Sequence, residues 1–244
     1  MQWLLAISLL SLASGLTPEQ VDAKKWLKDG DKLLAQERPL EAANAYREAI
    51  RLDPLLMMAH YGLGQAQMDL KQYPAAIEAF RGAQDAFNQR LAEGFAGRLE
   101  SDKARDKRVS ALRDRIRDHT GGSRSQNAEL NQMEMELAML QQTSTDVGKA
   151  VAVPAGVTLA LGSAYFRNNQ MKEAEAAYRE ALATKPTLGE ASNNLAVVLL
   201  LTKRPSEAKE QVALARKNGY SVPEGLKRDI EDALAKSAAG TTQP

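Results

Sequence analysis

Several stretches of the chain carry apolar residues at the three- and four-residue intervals that line one face of an α-helix. Leu91, Phe95 and Leu99 are followed by Val109, Leu112 and Ile116 in a run without proline. Leu130, Met133, Leu137 and Leu140 alternate spacings of three and four, which makes a narrow coiled-coil seam. Between these runs "TGGSRSQ" supplies two glycines and two serines, a flexible turn. Folded about Gly122, the seams meet in antiparallel register: Ile116 with Leu130, Leu112 with Met133, Val109 with Leu137, Leu99 with Val147. The outgoing arm is rich in arginine (Arg105, Arg108, Arg113, Arg115, Arg117) and the return arm is acidic (Glu129, Glu134, Glu136). A helical hairpin is predicted over residues 91–154. Gly94 and Gly97 weaken its first helix by about 1 kcal/mol each, and a bend is expected there.

On either side of this segment a different pattern repeats. "LEAANAYREAIRLDP" ends at Pro54 and returns as "KEAEAAYREALATKP", ending at Pro186. Gly30 and Gly64 lie 34 residues apart, and the same interval joins Ala42 to Ala76, Tyr46 to Phe80 and Ala49 to Ala83. Downstream it joins Gly162 to Ala196, Ala174 to Ala208 and Ala181 to Ala215. The pattern resembles the tetratricopeptide repeat family, whose unit is a 34-residue helix–turn–helix. The resemblance implies a small residue at position eight of each repeat (Gly30, Gly64, Gly162, Ala196), where helix A approaches helix B. It implies the alanine at position twenty (Ala42, Ala76, Ala174, Ala208) as the partner across that contact, and the aromatic at position twenty-four (Tyr46, Phe80, Tyr178) filling the space between one repeat and the next. Proline at position thirty-two (Pro54, Pro186) ends helix B, because it cannot continue the hydrogen-bond ladder.

Repeats are therefore assigned at 23–56, 57–90, 155–188 and 189–222. The second has Asn88 in place of the terminating proline. The fourth has Val212 in place of the aromatic and Tyr220 in place of the proline. Leu226, Ile230 and Leu234, four apart behind Pro223, predict an amphipathic capping helix at 223–236, followed by a disordered tail at 237–244. The expected fold is all-α, an α-solenoid with an inserted antiparallel hairpin. Gly64 to Gly162 is 98 residues, four short of three periods, so the insert does not hold hidden repeats in phase. The competing reading is one degenerate, elongated repeat stacked within the solenoid; the narrow apolar stripe and charged flanks favour the projecting hairpin.

Stacked repeats of this family form a concave groove lined by helix A. The resemblance puts Leu27, Asp31, Leu34, Met58, Tyr61, Gln65, Met68, Leu159, Phe166, Asn193, Asn194 and Val197 on its peptide-binding surface, with Lys24, Ser163, Glu190 and Leu200 beside them. Two repeats on each side of the insertion make each groove short. The family's carboxylate clamp for chaperone C-termini needs a basic and asparagine set over three consecutive repeats. Asn194 matches one position, but Asp31 and Gly62 stand where asparagines belong, so that mode is rejected. An apolar, methionine- and aromatic-bearing groove suits an extended or helical peptide of a partner protein. The bland reading is that these side chains pack on each other or on the N-terminal segment.

Composition narrows the chemistry. A net charge of +1 gives no bulk attraction to nucleic acid or anionic lipid. The basic run Lys103–Arg117 is interleaved with Asp106 and Asp114, flanked by Asp102 and Asp118, and contains no aromatic for base stacking. There is no cysteine, which excludes disulfides, thiol catalysis and an acylated-cysteine anchor. The two histidines, His60 and His119, have no partner set for a triad or zinc site. Gly62–Gly64 lacks the preceding strand of a phosphate loop. The expectation is a non-enzyme with no metal and no cofactor. Two function classes remain: a scaffold binding a protein or peptide partner, or an assembly protein that self-associates through residues 99–147.

Residues 1–16 read as a secretory signal. The apolar run Trp3–Leu12 leads to Ala13, Ser14 and Gly15 with no charged side chain before Glu19. It is shorter than the roughly 20 residues that span a bilayer, so no stable membrane span is expected. The expected location is periplasmic or secreted, the alternatives being the cytoplasm or an N-terminal membrane association. Intact-mass measurement on protein from its native host checks this. The expected mass begins between Ser14 and Thr17; a full-length cytosolic mass contradicts export.

Overall fold

The computed structural model describes residues 17–118, 133, 137 and 152–240. The proposed signal segment, His119, the hairpin turn, and the return arm apart from Met133 and Leu137 lie outside the described residues, as do 241–244. The helices are α1 Pro18–Ala35, α2 Pro39–Leu52, α3 Met57–Asp69, α4 Tyr73–Arg117, α5 Ala155–Arg167, α6 Met171–Thr184, α7 Gly189–Leu201, α8 Pro205–Lys217 and α9 Glu224–Gly240. No strand occurs among the described residues.

Local chemistry accounts for where helices start and stop. Thr17 caps α1 through a capping box: its hydroxyl accepts from the Gln20 amide at 3.3 Å, and the Gln20 side chain accepts from the Thr17 amide at 3.0 Å. Pro39 and Pro205 occupy the first turns of α2 and α8, where no N–H is needed. Each A helix ends in a left-handed residue: Glu37, Lys71, Asn169 and Lys203 have φ between 57° and 62°. The amide of the following residue then reaches back to the last turn, as Gln72 does to the Gln67 carbonyl at 2.8 Å. Helices α2 and α6 end just before Pro54 and Pro186. Helix α4 meets Asn88 instead of proline and continues to Arg117, uninterrupted at Gly94 and Gly97. Helix α9 reaches Gly240, four residues beyond the expected cap, so the start of the expected tail is helical.

The chain divides into two compact units, one formed by Met1–Gln89 with Ala152–Pro244, the other by Arg90–Val151. In the first, α1 packs on α2 and α3, α3 on α5, α5 on α7, and both α7 and α8 on α9. The A helices thus stack across the insertion, and the expectation of two separate short grooves is corrected: α3 and α5 are direct neighbours. A shared core runs from Ala76, Ile77 and Phe80 through Tyr165, Tyr178 and Leu195 to Ile230. In the second unit Leu112 is 1% exposed and Met133 6%, while Val109, Ile116 and Leu137 are half-buried.

One steric pairing organises each repeat. A Cβ on Gly30 would lie 2.6 Å from the Tyr46 ring, one on Gly64 2.5 Å from Phe80, and one on Gly162 2.7 Å from Tyr178. All three rings are 1% exposed. Repeat 4 replaces glycine with Ala196 and the ring with Val212, both buried, so a larger residue on one helix accompanies a smaller one on the other. An ion cluster adds a tie between repeats 3 and 4. Arg204 meets Glu175 at 2.7 Å and Glu207 at 2.6 Å, and Arg179 pairs with the same Glu175.

Gly162→Ala is expected to destabilise the protein by about 1–3 kcal/mol through overpacking. In a Tyr178→Val background the same substitution costs much less, because the repeat 4 pairing is recreated. A double-mutant cycle by chemical denaturation measures the difference, expected at about 0.5–3 kcal/mol; strict additivity contradicts the pairing.

Candidate functional site

The rings that fill the core also reach toward the A-helix face. Tyr46 donates its hydroxyl to Asp31 Oδ1 at 2.8 Å, and Tyr178 donates to Ser163 Oγ at 3.3 Å. Asp31 and Ser163 hold equivalent positions in their repeats. In repeat 2 the ring is Phe80, which has no hydroxyl, and the equivalent Gln65 instead donates to Tyr61 at 3.2 Å. Tyr61 stacks tilted on Phe80 with ring centroids 5.7 Å apart. Repeat 4 has no polar pair here, since Val212 and Val197 occupy these places.

A cavity of about 300 Å³ opens across three repeats. Met68 of α3 forms one wall, Phe166 and Ser163 of α5 the next, and Asn194 and Val197 of α7 the far side. Arg167, Tyr178 and Glu190 complete it. Of the residues placed in the groove from the sequence, Met68, Phe166, Asn194 and Val197 therefore meet around one space. Tyr61 is half-buried and within electrostatic range of Glu190. Met58 is exposed, whereas Leu27 and Leu34 pack partly against the core of the first two repeats. Two assignments are corrected. Leu159 is 9% exposed and belongs to the core, and Asn193 is 7% exposed, donating to Asn194 Oδ1 at 3.2 Å. Both are buried because α5 lies between the A helices α3 and α7, and α7 between α5 and the capping helix α9.

Arg167 and Tyr178 are lining residues that the repeat positions did not indicate. Arg167 lies at the last turn of α5, just past the helix positions assigned to the groove. Tyr178 was assigned to the core, where its ring does lie; its hydroxyl is what reaches the cavity. Arg167 and Glu190 thus bring a cation and an anion to the same space. Burial, and secondarily the Glu190 carboxylate, raises the Tyr61 phenol above its ordinary range. For Tyr178 burial again raises the value most; the bond to Ser163 lowers it and Glu190 raises it. The groove thus holds neutral phenols, one carboxylate, one guanidinium and an apolar floor. Among the described residues no group of acids and histidines is arranged to hold a metal ion, and no helix is long and apolar enough to cross a membrane. His60, read as a packing residue, lies against Gly82 and bonds through Nε2 to the Pro54 carbonyl at 2.9 Å.

Glu190→Gln removes the negative charge that opposes ionisation of both phenols. Tyr61 and Tyr178 are then expected to titrate at lower pH, while still above a free tyrosine because burial remains. Spectrophotometric titration of tyrosinate, with Tyr61→Phe and Tyr178→Phe to assign each step, measures this. An unchanged profile contradicts the placement of Glu190.

No curated protein matches the chain. Among solved structures it is similar to MamA protein, with 16% identity over 91% of this chain and 96% of that one and a TM-score of 0.47. It is also similar to a thermophilic tetratricopeptide-repeat protein of Thermus thermophilus, with 19% identity over 87% and 99% of the chains and a TM-score of 0.35. A third is PilW, described as a type IV pilus biogenesis factor, at 16% identity over 89% and 88% of the chains and a TM-score of 0.40. The tetratricopeptide repeat family profile matches residues 27–90 and 158–221, just over half of the chain. Those two segments are the helix pairs on either side of the insertion, and the chain belongs to the tetratricopeptide repeat family.

Proposed function

We propose that the protein is an exported, non-enzymatic scaffold that binds a segment of a partner polypeptide along the face of its A helices. The cavity bounded by Met68, Phe166, Asn194 and Val197 carries this reading, because it spans three repeats and the insertion does not divide it. Met68, Phe166 and Val197 offer apolar contact; Arg167, Glu190 and Asn194 offer charge and hydrogen bonds that fix orientation. An extended peptide with a basic and an acidic residue flanking an apolar one complements that arrangement.

Assembly through residues 99–147 is the second reading. Leu112 and Met133, paired by the hairpin register, are both buried within a single chain. That argues for a seam closed inside the protein over one left open for a second copy.

Peptide-display selection with residues 17–244 tests the scaffold reading. Selected peptides should lose about tenfold or more in affinity on Phe166→Asp and several-fold on Tyr61→Ala, with the melting temperature of Tyr61→Ala nearly unchanged. Tyr178→Ala, by contrast, should cost about 3–5 kcal/mol of stability. Selection that returns peptides insensitive to Phe166→Asp contradicts the groove, and a salt-sensitive dimer in light scattering favours the second reading.

A further inference from the structure

The side of helix A that meets the preceding repeat carries small or apolar residues in repeats 2 to 4. At positions three and ten these are Ala59 and Ala66, Val157 and Ala164, and Ala191 and Val198, all buried. At position six of repeat 2, Gly62 lies against the Tyr46 ring of repeat 1. Helix α2 packs on α3 at that junction, and α6 packs on α7 at the start of repeat 4. Repeat 1 holds lysine at all three places: Lys25, Lys28 and Lys32, each exposed. Among the described residues no helix precedes α1, so this face is the described end of the stack. The other end is closed differently, by α9 with Ile230 buried and Leu226 and Leu234 packed partly against the core.

A terminal repeat needs a polar outer face, and a mixture of both signs supplies one. Here the signs are sorted. With successive residues about 100° apart around a helix, Lys24, Lys25, Lys28 and Lys32 fall within an arc of about 100°. Only Val21 and Ala35 of α1 share that arc. The acids of the helix, Glu19, Asp22, Asp29 and Asp31, all lie outside it. The opposite side carries Ala23, Leu27, Gly30 and Leu34 and packs on α2 and α3. The net charge of +1 averages this segregation away. Screening acts over roughly 10 Å in 0.1 M salt, so a surface touching α1 meets the lysines and not the average.

We infer that the outer face of α1 docks the protein on an anionic phospholipid surface. A lysine ammonium is a compact, strongly hydrated charge without the planar fork that recognises one carboxylate or phosphate. Four of them on one helix face match a surface of many exchangeable negative charges. The arc holds no aromatic for base stacking, which disfavours single-stranded nucleic acid. Position in the chain favours lipid over an acidic protein, since the apolar run Trp3–Leu12 ends a few residues before α1 begins at Pro18. A chain whose run has entered a bilayer delivers this face to the headgroups. Docking leaves α2 and α3 on the side of α1 away from the lipid. The face shares only Lys24 with the margin of the peptide groove, so it stands whether or not that groove binds peptide.

Sedimentation with phosphatidylcholine vesicles, with and without phosphatidylglycerol, tests this on residues 17–244, which contain every described helix. Binding is expected to the anionic vesicles alone, falling at least about tenfold between about 0.1 M and 1 M salt. Lys25→Gln, Lys28→Gln and Lys32→Gln together should weaken it at least about tenfold, whereas arginine at the same three places should keep it. Lys209→Gln, Lys217→Gln and Lys236→Gln remove equal charge elsewhere and should change binding less than about threefold. All these side chains are exposed, and lysine, arginine and glutamine are similar helix formers, so circular dichroism should show every variant folded. Trp26 is the one tryptophan of residues 17–244 and lies on the side of α1 away from the arc, so its emission should not shift on binding. Equal loss from the two glutamine sets, binding to phosphatidylcholine alone, or a blue shift of Trp26 overturns the proposal. Tighter binding to poly-glutamate or duplex DNA than to the anionic vesicles would make an acidic polymer the occupant and overturn the assignment to lipid.

Discussion

The contact of an aromatic ring with a residue that has no side chain sets the distance between the two helices of repeats 1 to 3. Tyr46 shows how much depends on it. It lies against Gly30 of its own repeat and against Gly62 of the next, where an added Cβ would be 2.5 Å from the ring. One side chain therefore fixes both the spacing inside a repeat and the approach of its successor. In a close-packed interior neither distance can change without the other. Repeat 4, where both positions change together to Ala196 and Val212, lies next to the capping helix and passes the stack on to no further repeat.

Binding features follow from the same rings. Because Tyr46 and Tyr178 fill the space between helices, their hydroxyls emerge on the A-helix side, where Asp31 and Ser163 accept their hydrogen bonds. Phe80 removes that demand in repeat 2, and Gln65 holds Tyr61 instead. The polarity of the groove is therefore partly dictated by which ring closes each repeat.

The 34-residue period made the helix order and the burial of Tyr46, Phe80 and Tyr178 legible, because each rests on sterics repeated at a fixed interval. It paired each position-eight glycine with the alanine at position twenty, whereas the ring of the same repeat lies against it. The missing proline at Asn88 likewise foretold that α4 would not stop there. What the period did not disclose depends on neighbours distant along the chain. Leu159 and Asn193 carry groove positions but are buried, because α5 lies between two A helices and α7 between α5 and the capping helix. The continuity of the groove across the insertion was hidden by sequence distance, which says nothing about whether α3 and α5 touch.

The insertion leaves the link between the protein's two halves unlike its other links. Elsewhere a few residues join consecutive helices; here Arg90–Val151 separates repeat 2 from repeat 3. The contact of α3 and α4 with α5 joins segments far apart along the chain, as two tethered molecules meet at a finite effective concentration. Repeats 1 and 2 and repeats 3 and 4 with their cap are in this sense two partners on one leash. A protease cut within the leash would leave every core contact in place yet make their association depend on dilution.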